Sequence, residues 1–222
     1  MIFKHNTAII NDIIIEQNIK NFDPRWISRG AYQSDKKIWI MNIPKNASNS
    51  IGRLIAPGNR ARSGWLTEQR YSELGQPDHN FFVVLRNPLE RFYGSLAQHY
   101  VIQMERNITL SEINRKIDDL EFMSDIFDDI HIWPQFSYLH GLPIKKTTFL
   151  DLKNIEKLPD MVGISDDIQS WNVSDDNPDQ KATKQRIRAI CETNPDVMNA
   201  LKKYYATDME IMENHLGYIP LN

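Results

Sequence analysis

Two short apolar runs stand out along the chain. Residues 38–43, Ile-Trp-Ile-Met-Asn-Ile, are β-rich and stop at Pro44, which predicts a buried strand. Residues 81–85, Phe-Phe-Val-Val-Leu, carry no polar position, as a strand covered on both faces does. Thr147–Leu152 and Met161–Ile164 make two further short strands, and Ile13–Ile15 is another candidate. Helical spacing of apolar residues takes over between them. It predicts helices over Ser50–Ile55, from Pro88 to Met104, and over Thr109–Lys116, Leu120–Ile130, Lys184–Cys191 and Pro195–His215. The last carries Val197, Leu201, Tyr204, Tyr205, Met209 and Met212 along one side. Residues 58–79, with Gly58, Gly64, Gly75 and Pro77, read as a long surface loop holding one helical turn, and 166–180 as an acidic loop. Residues 1–35 read as a peripheral segment.

Strands alternating with helices imply an α/β fold, a three-layer sandwich with a mainly parallel central sheet. At about 150 residues per domain, the 222 residues give between one and two, so one domain with elaborations, 1–222, is expected. Hydrophobic residues make up 41% and charged residues 25%, so a disordered chain is excluded. The formal charge of −3 disfavours a general nucleic-acid coat but leaves room for a local anion site. The one cysteine, Cys191, excludes an intramolecular disulfide, argues against a Cys-based zinc site and reads as a buried small hydrophobe. The opening MIFKHNTAIINDIII offers neither a signal-peptide core nor a membrane span. A soluble, cytoplasmic protein without a membrane span is therefore expected.

In parallel α/β sheets, ligands bind beyond the carboxyl ends of the strands. Two segments fall at such ends. The first is Ile43-Pro44-Lys45-Asn46-Ala47-Ser48-Asn49-Ser50-Ile51, joining a strand to a helix. A helix start offers unpaired N–H groups and a positive dipole end; Lys45 adds a cation, and Ser48 and Ser50 add hydroxyls. That set suits a phosphate or sulfate, although it lacks the G-x-x-x-x-G-K-[ST] of nucleoside-triphosphate loops. The plainer alternative is a serine cap and a solvated lysine. The second segment is Leu85-Arg86-Asn87-Pro88-Leu89-Glu90-Arg91-Phe92-Tyr93-Gly94-Ser95. The planar fork of Arg86 suits bidentate phosphate contact, or else it pairs with Glu90 or a buried carboxylate. Arg91 also fits an exposed helix charge.

Together the two segments resemble the donor site of sulfotransferases that use 3′-phosphoadenosine 5′-phosphosulfate (PAPS). The first is similar to their 5′-phosphosulfate loop, and the second to their 3′-phosphate motif, R-[DN]-P-x-[ED]-R-x-x-S. Asp129-Ile130-His131-Ile132-Trp133-Pro134-Gln135 resembles the H-x-x-P-Q segment of the carbohydrate O-sulfotransferase branch. Phe149–Leu152, Val162-Gly163, and the closing Leu201, Tyr205 and Asp208 resemble later segments of that branch. The family's serine falls on Gly94 here, and Ser95 follows one position later.

The resemblance implies the P-loop-kinase-like sulfotransferase fold. It also implies PAPS as donor, PAP as product, no metal, and a hydroxyl-bearing acceptor, here a saccharide. Lys45 would stabilise charge on the bridging oxygen. Asn46, Ser48, Asn49 and Ser50 would hold the 5′-phosphosulfate. Arg86 and Ser95 would clamp the 3′-phosphate, with Lys181, Thr183 and Lys184 as a late basic loop. His131 is the first choice of base, with Glu68, His99 and His140 in reserve. His79 precedes a strand and belongs at the other end of the sheet. Trp65, Tyr100 and Trp133 are candidates to line an acceptor cleft, whereas Trp39 and Phe82 read as core. The single Cys without an anchor fits a bacterial or viral type of protein. The rival readings are a binding module of the same fold without turnover, and a P-loop-like kinase.

Overall fold

The structure, a computed structural model, describes residues 29–33, 36–55, 68–70, 78–104, 109–121, 123, 129–139, 142–165 and 177–217. The chain divides into two compact units. Of the described residues, those within 29–87, 135–165 and 208–217 form a sheet unit, and those within 88–134 and 177–207 form a helical unit.

The sheet unit holds β1 (Arg29–Gln33), β2 (Ile38–Met41), β3 (Glu68–Arg70), β4 (Asn80–Leu85) and β5 (Thr147–Asp151), in the order β3-β1-β2-β4-β5. β2, β4 and β5 run parallel, with Ile40 opposite Phe82 and Leu85 opposite Asp151. β1 pairs antiparallel with both β2 and β3. The fold is thus α/β with a mixed sheet, not the mainly parallel one the alternation implied. The antiparallel half was hidden because β1 is too polar to read as a strand. Its residues 29–33 were expected to be peripheral, yet they pair on both sides. β3 likewise lies inside the expected 58–79 loop, where one helical turn was foreseen.

Side-chain alternation explains the core. Ala31, Ile38, Ile40, Phe82, Val84 and Leu150 share one cluster. α1 (Ser48–Ile55) adds Ile51, Leu54 and Ile55 to it, and α4 (Leu158–Val162) adds Leu158 and Val162. The alternate set, Trp39, Met41, Phe81, Val83 and Leu85, is buried as well. That two-sided burial is why β2 and β4 read as unbroken apolar runs. Trp39 and Phe82 are core residues, as expected. Gly30 is required by a close approach: a Cβ there would lie 2.5 Å from the Ile40 carbonyl and 2.6 Å from the Trp39 ring. The strand expected over Met161–Ile164 is instead the end of α4, stopped by Gly163 at φ +64°. β2 stops at Met41, two residues before the expected end.

The helical unit contains α2 (Pro88–Met104), α3 (Leu110–Asp118), α5 (Pro178–Thr193) and α6 (Pro195–Tyr204), with α5 packed against the other three. α3 opens with a Thr109–Glu112 capping box. α5 and α6 each open with Asn followed by Pro, Asn177-Pro178 and Asn194-Pro195, and both asparagines cap through their side chains. α5 therefore begins six residues before the expected Lys184. The helix expected over 195–215 is two: the α-helical run breaks at Tyr205 and resumes as α7 (Ala206–Leu216). Leu120 sits in the left-handed region at φ 57°, and Asp129–Ile130 is a turn; 122 and 124–128 of the helix expected over Leu120–Ile130 lie outside the described residues. Ile13–Ile15, Trp65 and His140 also lie outside them. Among the described residues no helix is long and apolar enough to cross a membrane.

Candidate functional site

Because β2 and β4 are parallel neighbours, the β2–α1 loop and the turn after β4 leave the sheet at the same edge. The loop, residues 42–47, is bent against ordinary preference. Lys45 has φ 70° and Ala47 has φ 58°. Neither is glycine, so each left-handed residue costs about 1 kcal/mol or more. Such strain persists only where the surroundings hold it.

Three side chains do the holding. Asn46 is 1% exposed, and its Nδ2 donates to the Val84 carbonyl at 2.8 Å and to Gln135 Oε1 at 2.5 Å. Arg86 donates from Nη1 to the Lys45 carbonyl at 3.1 Å, and its backbone N–H donates to Gln135 Oε1 at 3.0 Å. Gln135 returns a bond from Nε2 to the Arg86 carbonyl at 2.8 Å. The buried Asp208 carboxylate in turn accepts from the Gln135 and Phe136 N–H groups at 2.7 and 2.8 Å. It thereby caps the short 3-10 helix Gln135–Leu139.

The expected site residues separate on this geometry. Lys45 and Ser48 are partly exposed and Asn49 is exposed, while Ser50 is buried in the first turn of α1. Both side-chain N–H donors of Asn46 are held inside the protein, so it is a strut of the loop. A small, mostly apolar cleft beside Ser48, lined by Ile40, Met41, Ile51 and Gly52 among others, lies next to this loop. Its lining does not suit an anion.

In the helical unit the picture differs. Arg91 is fully buried, not an exposed helix charge. Its guanidinium donates to the Trp133 carbonyl at 2.5 Å and to that of Ile130 at 3.5 Å. Ser95 is 3% exposed, and its one hydroxyl proton is shared between the Arg91 carbonyl at 2.7 Å and the His131 carbonyl at 2.9 Å. The structure gives Ser95 a different task from the expected phosphate clamp: with Arg91 it holds the 130–133 backbone. Tyr205 adds a bond from its hydroxyl to the Ile132 carbonyl at 2.7 Å.

His131 is braced by Asp129, whose Oδ1 lies 2.6 Å from Nδ1 and 2.8 Å from the backbone N. Burial alone would raise the Asp129 pKa, but the His131 hydrogen bond and charge outweigh it and hold the carboxyl below its ordinary value. An ionised carboxylate only accepts, so Nδ1 carries a proton toward Asp129. Tyr100 and Trp133 are buried, at 2% and 5% exposure, and do not line an open cleft.

Lys181, Thr183 and Lys184 lie on α5, not on a loop, because the Asn177 cap starts the helix early. Lys181 is exposed, Thr183 is buried, and Lys184 pairs with Glu90 at 3.3 Å. Glu90 also pairs with Arg188. Glu68 lies on β3. His99 stands on α2 beside Tyr100, its ring edge-on at 5.9 Å between centroids. His79 sits at the amino end of β4, its Nε2 2.7 Å from the Tyr32 hydroxyl, so it lies away from the loops.

Gln135 and Asp208 carried no role in the sequence. A signal existed for Asp208. Leu201, Tyr205, Asp208 and Met212 follow i, i+4, i+7, i+11 spacing, so the acid occupies a core position of the stripe. Among the described residues no group of three or more His, Cys, Asp or Glu could hold a metal ion. Compared with known proteins, the chain matches no family model, no curated protein and no solved structure.

Proposed function

We propose that the chain is a sulfotransferase, moving a sulfuryl group from PAPS to a hydroxyl of a saccharide. The observation that supports it most is the linkage of the two loops. The strained β2–α1 loop and Arg86 emerge from adjacent parallel strands and share hydrogen bonds. A lysine, helix-start N–H groups and an arginine fork then belong to one rigid element, which is what recognition of a doubly anionic donor requires.

In the proposed reaction the acceptor oxygen attacks sulfur in line. The bond from sulfur to the bridging oxygen breaks, and PAP departs with that electron pair. Lys45 offsets the charge that develops on the bridging oxygen. Arg86 meets the 3′-phosphate, and Ser48, Asn49 and Ser50 receive the 5′-phosphosulfate. The acceptor proton goes to a base, the role that the resemblance gives to His131.

Isothermal titration with PAP, ATP and AMP at matched ionic strength tests the donor reading. Micromolar PAP with much weaker ATP and AMP is expected; equal affinities would overturn it. The second reading, a binding module without turnover, draws on the buried, internally bonded Ser95 hydroxyl. PAP binding with no sulfuryl transfer across a broad saccharide panel would favour it.

A further inference from the structure

Gln135 uses its whole side-chain amide. Its Oε1 accepts from Asn46 Nδ2 at 2.5 Å and from the Arg86 N–H at 3.0 Å. Its Nε2 donates to the Arg86 carbonyl at 2.8 Å and lies 3.4 Å from Asp208 Oδ2. The orientation of this amide is fixed by chemistry. A backbone N–H can only donate and a backbone carbonyl can only accept, so a flipped Gln135 would set like against like at both ends of Arg86. One side chain therefore grips Arg86 on both backbone groups and, through Asn46, pins the centre of the strained loop. At 1% exposure, with Asp208 fixing its own backbone N–H, it has no freedom to drift.

We propose that Gln135 is a positioning residue that locks the β2–α1 loop and Arg86 into one register, and that discrimination for the 3′-phosphate passes through it. The second clause rests on the donor reading above; the first does not. Gln135 touches no donor atom in this scheme. It acts by deciding where the Lys45 carbonyl and the Arg86 fork stand relative to each other.

The decisive variant is Gln135→Glu. A protonated carboxyl reproduces the amide, with one oxygen accepting and one O–H donating, whereas a carboxylate cannot donate to the Arg86 carbonyl and is repelled by Asp208. The charged groups around it are Asp208 and Arg86. Burial and Asp208 favour the protonated form and outweigh the opposing Arg86 charge, so the variant should behave like wild type at acidic pH and fail as pH rises. Two readouts are taken against wild type at each pH: the PAP-to-AMP affinity ratio by titration, and hydrogen exchange of the amides in 43–50 and 85–88. The expected result is a ratio that falls about tenfold with rising pH and recovers on acidification, with both segments losing protection together. A ratio that tracks wild type at every pH, or loosening of only one segment, would overturn the proposal. If wild type itself shows no PAP preference, the donor reading fails, and the exchange comparison alone decides the locking role. Gln135→Met, close in shape but without hydrogen bonds, provides a second variant: it should loosen both segments at all pH values.

Discussion

The two segments that form the proposed donor site differ in where their strain and their buried polar groups lie. In 44–51 the strain sits in the backbone, at Lys45 and Ala47, while Lys45, Ser48 and Asn49 keep some exposure and Asn46 and Ser50 are buried. In 86–95 the backbone is ordinary helix after Pro88, and two polar side chains, Arg91 and Ser95, are buried. Arg91 and Ser95 meet the carbonyls of 130–133, not solvent. A polar residue at a motif spacing can thus serve a ligand or a backbone, and the spacing alone does not say which. What separates the cases is whether neighbouring carbonyls lack partners. Residues 130–133 form a turn without helix or strand bonding of their own, so a helix passing beside them must supply donors.

The largest contrast is in activity. Lys45→Ala should abolish sulfuryl transfer, a loss of about a hundredfold or more, with the melting temperature within a few degrees of wild type. An active, folded variant would remove Lys45 from the mechanism. The opposite balance is expected of Arg91→Ala. The buried Trp133 carbonyl and the half-buried Ile130 carbonyl lose a donor, and denaturant titration should show a loss of about 3 kcal/mol. A loss below about 1 kcal/mol would mean that Arg91 does not brace the turn. Ser95→Ala is the milder version, costing about 1 kcal/mol while leaving PAP affinity unchanged. A large drop in PAP affinity at constant stability would restore Ser95 as a phosphate ligand and erase the contrast.

The Asp129–His131 pair sharpens the comparison from the side of pH. The folded Asp129 carboxyl lies below its ordinary value, so its contribution to stability is present above the ordinary aspartate range and is lost as pH falls through that range and below. His131→Ala removes the cause. The acid limb of a stability-against-pH curve should become shallower, and turnover should fall more than donor affinity. An unchanged acid limb and unchanged turnover would leave His131 with neither role. The smallest effect is at Tyr93, whose buried hydroxyl has no hydrogen-bond partner among the described residues. Burial, then Cys191 and Glu192, push its pKa upward. Tyr93→Phe should leave stability unchanged or slightly raised, because no hydrogen bond is lost; a clear loss would reveal a partner.

Much of the framework was legible. β2 and β4 announce themselves because burial on both faces forces every position to be apolar, and α2 because Pro88 marks its first turn. Cys191 reads correctly as a buried hydrophobe, and burial together with Glu192 raises its thiol pKa to about 12. β1 and β3 were not legible. Their short polar sequences gain their place from partners, with Ala31 set between Ile40 and Glu68 by the ladder on each side. The same holds for the site. The positions of Lys45 and Arg86 at strand ends follow from the local pattern, but Gln135 joins them across 89 and 49 residues of chain from Asn46 and Arg86.

The sequence by itself determined the elements whose physics is local: two buried strands, a helix opened by Pro88, and a loop of small residues with one lysine at a strand's carboxyl end. Only the tertiary structure decided which polar groups remain at the surface and which close on carbonyls inside. That choice depends on the hydrogen-bond demand of residues far away in the chain, and a buried group must be satisfied by whatever the fold brings beside it.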